Sequence, residues 1–201
     1  MASLDHIGLK YGTDKSSSFH NYCNTYERYF SPLRYRPVQL LEVGVDKGSS
    51  IKMWLEYFPN ALVSGVDIMK SLDFTDPRFE FRQGNQEDIQ FWRAFNGSGR
   101  NWDIIIDDGG HVHQAIITTF EQMFPRLMTD GLYIVEDLHV AYDPEYQRGG
   151  GVNVLDYFRN LIDTLNQRGA RMCGNPKLDK SGIAFIHFFK SLVIIGRKHC
   201  A

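Results

Sequence analysis

Residues 103–114 read DIIIDDGGHVHQ, an apolar, strand-like run that ends in two adjacent carboxylates, two glycines and two imidazoles. A second apolar run, GLYIVED at 131–137, also ends in acid, at Glu136 and Asp137. Two earlier runs do the same: VQLLEV (38–43) carries Glu42 just ahead of Gly44, and ALVSGVD (61–67) ends in Asp67. One acid where a strand meets solvent is ordinary. Acids at four such ends point to a common ligand edge, because open parallel sheets bind ligands outside the carboxyl ends of their strands.

The first of these ends leads into EVGVDKGSS (42–50). Gly44 and Gly48 let a ligand approach the backbone closely, and Ser49 or Ser50 is placed to cap the helix that follows. The spacing is G-x-x-x-G rather than the G-x-G-x-x-G of pyrophosphate binding. Glu42 would repel a pyrophosphate but suits a cationic ligand. Asp67, one βα unit later, is placed to accept hydrogen bonds from both hydroxyls of a ribose. An acid for a cationic centre and an acid for a ribose together indicate S-adenosylmethionine.

These residues need elements to hold them. The runs at 38–43, 61–67, 78–83, 102–108 and 131–137 read as strands. Between them lie apolar stripes at helical spacing, Ile51, Trp54, Leu55 and Phe58, then Ile116, Phe120, Met123, Phe124 and Leu127. Alternating strand and helix predicts βαβ units in a doubly wound α/β sheet. After a helix over about 152–167, GIAFIHFFKS and LVIIGRK follow each other with almost no linker, so they must pair antiparallel. The expected fold is a mostly parallel seven-stranded sheet with a C-terminal antiparallel hairpin, in one domain over 1–201. Residues 1–36 would form an N-terminal flap and helix, and 37–201 the Rossmann-like core.

Bulk properties narrow the partners. The 201 residues are 43% hydrophobic with a formal net charge of -2, which suits a single core and provides no basic field for nucleic acid. No apolar run approaches the length of a membrane span and no signal segment opens the chain, so a cytoplasmic protein is expected. The three cysteines, Cys23, Cys173 and Cys200, are far apart and suggest neither a disulfide framework nor a zinc site.

LLEVGVDKGSS, VSGVDI, FRQGNQED and GLYIVEDL, in this order, resemble the successive motifs of class I S-adenosylmethionine-dependent methyltransferases. KYGTDKSSSFHNY, DDGGHVHQAIITTFEQMFPRLMTDGLYIVEDLHVAY and GIAFIHFFKSLVIIGRK are similar, more specifically, to the metal-dependent macrolide-sugar O-methyltransferases of the mycinamicin and macrocin type. The likeness runs from Leu9 to Lys198. It implies metal ligation by Asp108, Glu136 and Asp137 and a general base at His111. It also implies cofactor binding by Gly44, Gly48 and Asp67, with the adenine end near Asn85 and Gln86. Glu42, Ser49 and Asp107 join the expected cofactor contacts, as do Tyr11 and Thr13 of the YGTDKSSSFHNY segment, taken as a flap over cofactor and substrate. HVAYDPEYQRGGG (139–151) is expected to be a second lid, with Tyr142 and Tyr146 as stacking faces. The chain departs from the family pattern at Asp46, where a glycine is common, and at Gly110, where serine is usual.

Hard oxygen ligands suit Mg²⁺ or Mn²⁺. The resemblance therefore implies a Mg²⁺-dependent O-methyltransferase acting on a natural-product hydroxyl, expected to belong to a sugar. His113 reads as structural, and His139 as able to face the substrate. The alternatives are a cofactor-binding relative turned to non-methylating chemistry such as cyclisation, and an NAD-dependent oxidoreductase, which the glycine spacing disfavours. The expected partners are a small-molecule acceptor and, as an option, a second copy of the chain; neither nucleic acid nor membrane is expected.

Overall fold

The computed structural model describes residues 2–69, 72–148, 151–166 and 182–198. Two compact units are present, Met1–Gly84 and Asn85–Ala201.

In the first unit, α1 (Leu4–Tyr11) is opened by Ser3, whose hydroxyl accepts from the His6 N–H, and is closed by left-handed Gly12. α2 (Tyr22–Phe30) passes through a proline-bearing 3₁₀ turn at Ser31–Leu33 towards β1 (Gln39–Val43). Then come α3 (Ser49–Tyr57), β2 (Leu62–Asp67) and β3 (Phe79–Gln83). β2 pairs in parallel with both β1 and β3, with Val43 opposite Val66 and Asp67 opposite Gln83 at the carboxyl ends. Tyr26 and Phe30 of α2, Trp54 of α3 and Phe58 just past its end are all fully buried, with neighbouring ring centroids 5.2–6.5 Å apart. Tyr26 and Phe30 are spaced i, i+4, so both rings fall on one face of α2.

The segment expected to be a flap is folded inward. Thr13, Lys15, Ser16 and Tyr22 are buried, and backbone bonds from Cys23 N to Lys15 O and from Asn21 N to Ser16 O, both 2.9 Å, fix its path. The Lys15 ammonium lies 3.6 Å from a Glu42 carboxylate oxygen, each side chain no more than 1% exposed. Cys23 is buried with its Sγ 3.6 Å from Met53 Sδ; Cys173 and Cys200 lie outside the described residues.

The second unit contains α4 (Ile89–Asn96), β4 (Trp102–Asp107), α5 (His113–Met123), β5 (Leu127–Val135), α6 (Val154–Asn166), β6 (Ile183–Phe189) and β7 (Leu192–Arg197). β4 and β5 are parallel, whereas β7 pairs antiparallel with both β5 and β6, giving the order β4-β5-β7-β6. The hairpin expected at the end of the chain is present, with Phe189 opposite Leu192 across a two-residue turn. Phe120 on α5 packs against Phe124, Tyr133 and Phe158 at centroid distances of 4.9, 5.0 and 5.3 Å.

Three expected boundaries shift. β5 starts at Leu127 rather than at 131 and ends before Glu136, so Glu136 and Asp137 lie beyond the strand. The lid expected from His139 begins as a 3₁₀ turn, Leu138–Tyr142, with Leu138, Val140 and Ala141 buried. Gly149 and Gly150 of that segment lie outside the described residues. Neither Ser49 nor Ser50 caps α3: left-handed Gly48 occupies that position and brings both serines inside the helix. Among the described residues no helix is long and apolar enough to cross a membrane.

The buried Lys15–Glu42 pair yields the first prediction. Lys15→Met should cost about 3–5 kcal/mol by leaving a buried carboxylate without its cation. Adding Glu42→Gln should recover much of that loss in chemical denaturation midpoints; a double variant as damaged as the sum of the singles would mean that the two side chains do not act as a pair.

Candidate active site

β4 and β5 end in register, Asp107 opposite Val135, and the Glu136 N–H donates to the Asp107 carbonyl at 3.0 Å. The chain therefore leaves two neighbouring parallel strands with an acid next on each, Asp108 and Glu136. Both exits then turn through left-handed residues, His111 at φ 56° and Asp137 at φ 55°. These turns bring the His111 Nε2 to 3.5 Å from Asp137 Oδ2 and 4.0 Å from Asp108 Oδ1. Ligand atoms of Asp108, His111 and Asp137 all lie within 4.8 Å of one another, and each residue is partly exposed. Glu136, the third expected metal acid, is 1% exposed and is not a member of this cluster.

The two carboxylates are hard oxygen donors, with a borderline imidazole beside them. Mg²⁺ is usually held by one or two carboxylates with waters completing its shell, so the cluster fits such an ion. His111 is close enough either to join the ligands or to act beside them. Its ring also meets Tyr146, edge-on, with centroids 6.4 Å apart.

The neighbouring histidines differ in environment. His113 is buried, with its Nε2 3.2 Å from the Val140 carbonyl, and is structural. His139 is largely exposed; its Nδ1 lies 2.6 Å from Ser191 Oγ and 3.8 Å from Asp137 Oδ1.

Asp107 sits just inside this cluster and has a different environment. Burial pushes its carboxyl up to about 7, and the charge of Asp108 adds to the effect. The Gln86 amide and the Gly109 N–H act in the opposite direction. So does the Tyr133 hydroxyl, although without a hydrogen bond of good geometry. Gln86 is buried, its Nε2 3.2 Å from Asp107 Oδ1 and its Oε1 2.7 Å from the Gly110 N–H. Asn85 closes a local turn by accepting from Glu87 N at 3.0 Å.

In the first unit, Gly44 and Gly48 have φ of 87° and 80°, which the loop needs to turn twice within five residues. Asp67 holds this loop to β2: its Oδ2 accepts from the N–H groups of Val45 at 2.7 Å and Asp46 at 3.1 Å, and its Oδ1 from Met69. Glu42 is fully buried, accepts from Ser50 Oγ at 2.7 Å and has Lys15 as its nearby cation. The Tyr11 hydroxyl donates to Glu56 at 2.6 Å, and Thr13 Oγ1 accepts from Lys15 N at 3.4 Å. Sequence reasoning missed the inward turn of Lys15 and the bracing by Gln86, because no local pattern marks either partnership.

No protein-family model matches the chain. It is 30% identical to the 8-demethyl-8-(2-methoxy-alpha-L-rhamnosyl)-tetracenomycin-C 3'-O-methyltransferase of Streptomyces olivaceus, over 96% of this chain and 53% of that one. It is 34% identical to the L-olivosyl-oleandolide 3-O-methyltransferase of Streptomyces antibioticus, over 81% and 46% of the two chains. The MycE methyltransferase of the mycinamycin biosynthetic pathway, solved in complex with Mg, SAH and mycinamycin VI, superposes with a TM-score of 0.88 at 26% identity, covering 98% of this chain and 54% of that one. The chain thus spans about half the length of the curated relatives it matches. Taken together, the ordered acidic motifs, the strand pairings and these likenesses show the seven-stranded, mostly parallel class I methyltransferase fold with its antiparallel C-terminal hairpin, and identify the chain as a homologue of the sugar O-methyltransferases of antibiotic biosynthesis.

Proposed function

We propose that this protein is a Mg²⁺-dependent O-methyltransferase that moves the methyl group of S-adenosylmethionine to a hydroxyl of a glycosylated natural product, working as one methyltransferase domain. The observation that carries the reading is the convergence of Asp108, His111 and Asp137 within 4.8 Å, just past the carboxyl ends of β4 and β5. Asp108 and Asp137 would hold the ion, with Glu136 beside them in sequence. When bound, such an ion supplies Lewis acidity towards an acceptor hydroxyl.

The remaining work falls to the chain. His111 Nε2 would accept the hydroxyl proton, and once protonated it can donate to the Asp137 carboxylate 3.5 Å away. The C–S bond breaks as the O–CH₃ bond forms; the products are a methyl ether, S-adenosylhomocysteine and a proton carried by His111. Because a sulfonium methyl is already activated, alignment is the chief task, worth about 7–11 kcal/mol in favourable cases. Gly44, Gly48 and Asp67 are the residues we assign to the cofactor, with Tyr146 beside His111 offering an aromatic edge to the acceptor. The acids and the histidine that methyl transfer requires are all present, which leaves the non-methylating reading without support.

Incubation with labelled S-adenosylmethionine, Mg²⁺ and a panel of glycosylated acceptors should give, by mass spectrometry, a product in which one hydroxyl hydrogen is replaced by the labelled methyl group. Excess EDTA should abolish it and added Mg²⁺ restore it, and His111→Ala should slow turnover by about 10²–10⁴-fold. Undiminished methylation in EDTA would remove the metal from the reading.

Asp107 supplies a pH prediction for the chelated protein. Its folded value near 7 lies above its unfolded value, so the folded state binds more protons between about pH 4 and 7. Stability is therefore greatest below that window and falls as pH rises through it, by on the order of a few kcal/mol from this group. Asp107→Asn should flatten the fall in urea midpoints measured from pH 4.5 to 7.5; an unchanged slope would assign the titration to another group.

A further inference from the structure

Gln86 is a buried amide with both ends in use. Its Oε1 accepts from the Gly110 N–H at 2.7 Å, and its Nε2 donates to Asp107 Oδ1 at 3.2 Å and towards Thr119 Oγ1 at 3.4 Å. The orientation of the amide follows from chemistry, since a backbone N–H can only donate and must face the oxygen. The residue is fixed at its backbone as well: its carbonyl accepts from Nε1 of fully buried Trp92 at 2.9 Å. The fit is close enough that a Cβ on Gly109 would lie 1.7 Å from Oε1.

Gly109 and Gly110 are the only residues between Asp108 and His111. A diglycine is the most mobile connection available and cannot by itself hold a carboxylate and an imidazole in a fixed relation. Gln86 supplies what it lacks, tying the turn at Gly110 to the end of β4 at Asp107 and to α5 at Thr119. The position calls for an amide. Glutamate would set a second negative charge against Asp107, and methionine, similar in shape, would leave both partners unsatisfied in a buried place.

We propose that Gln86 is a positioning residue that locks the Asp108–His111 turn so that both side chains meet Asp137, and that it is not a contact for the cofactor's adenine. The proposal rests on reading the cluster as a divalent-metal and proton-transfer site. It assigns the one buried side chain of the GNQED stretch to the metal half of the chemistry instead of the nucleoside half.

The test uses the full chain as wild type, Gln86→Met, Gln86→Glu and Gly109→Ala, with Mn²⁺ affinity read by electron paramagnetic resonance and S-adenosylhomocysteine affinity by calorimetry. The three variants should bind Mn²⁺ about 10–100-fold more weakly, as loss of an outer support to metal ligands does, while S-adenosylhomocysteine affinity stays within about two-fold. Retained nucleoside binding also reports that the variants fold. Weakened S-adenosylhomocysteine binding with unchanged Mn²⁺ affinity would overturn the proposal in favour of an adenine contact. Equal loss of both ligands in all three variants would also overturn it, because general unfolding produces that pattern. If wild type itself binds no Mn²⁺, the metal reading of the cluster fails; if wild type binds and the variants match it, the role of Gln86 alone fails.

Discussion

Taking a carboxylate out of water costs several kcal/mol unless a cation or a set of donors replaces the lost hydration, and the polar architecture of this chain is organised around that penalty. Acids sit at the ends of buried strands, and each is treated differently. Glu42 is neutralised by Lys15 and accepts from Ser50. Asp67 is hydrogen-bonded by three backbone N–H groups and thereby shapes the glycine loop. Asp107 is supported by an amide and held partly protonated near neutral pH. Among the described residues Asp108 and Asp137 are the acids that cluster with an imidazole and stay partly exposed, which is why they are the pair proposed for chemistry.

Much of this was legible in the sequence, and the exceptions have physical causes. The strands before 110 were readable to within a residue or two because apolar runs bounded by turn residues are a strong local signal. The start of β5 was not, since Met128, Thr129 and Asp130 are exposed and Asp130 is left-handed, so neither burial nor alternation marks them as strand. Asp108 and His111 were found from spacing and resemblance. The separation of Glu136 from Asp137 follows from the alternation of side chains along an extended chain, which sends consecutive residues to opposite faces, followed by a left-handed turn at 137. The partnerships of Lys15 with Glu42 and of Gln86 with Asp107 and Gly110 span more than twenty residues, a separation that no periodicity encodes.

The chain corresponds to about half of its curated relatives, and the two groups of residues proposed for the cofactor and for the metal fall in different units. The glycine loop and Asp67 belong to Met1–Gly84, and the acid–imidazole cluster with its brace belongs to Asn85–Ala201. Each set is stabilised by contacts inside its own unit. The residues proposed for chemistry are therefore held by local frameworks of ordinary packing.

His111 and Asp137 hold their side chains from left-handed backbone, a conformation that costs a residue with a Cβ about 1–3 kcal/mol. Glycine would relieve that cost at both places. A laboratory evolution campaign that rewards heat tolerance alone would thus drift towards glycine at 111 and 137 and erase the imidazole and a carboxylate in the process. Asn21, Asp46, Asp130 and Ser191 share that conformation, so a stabilising library can sample glycine there and leave out the two positions proposed for chemistry.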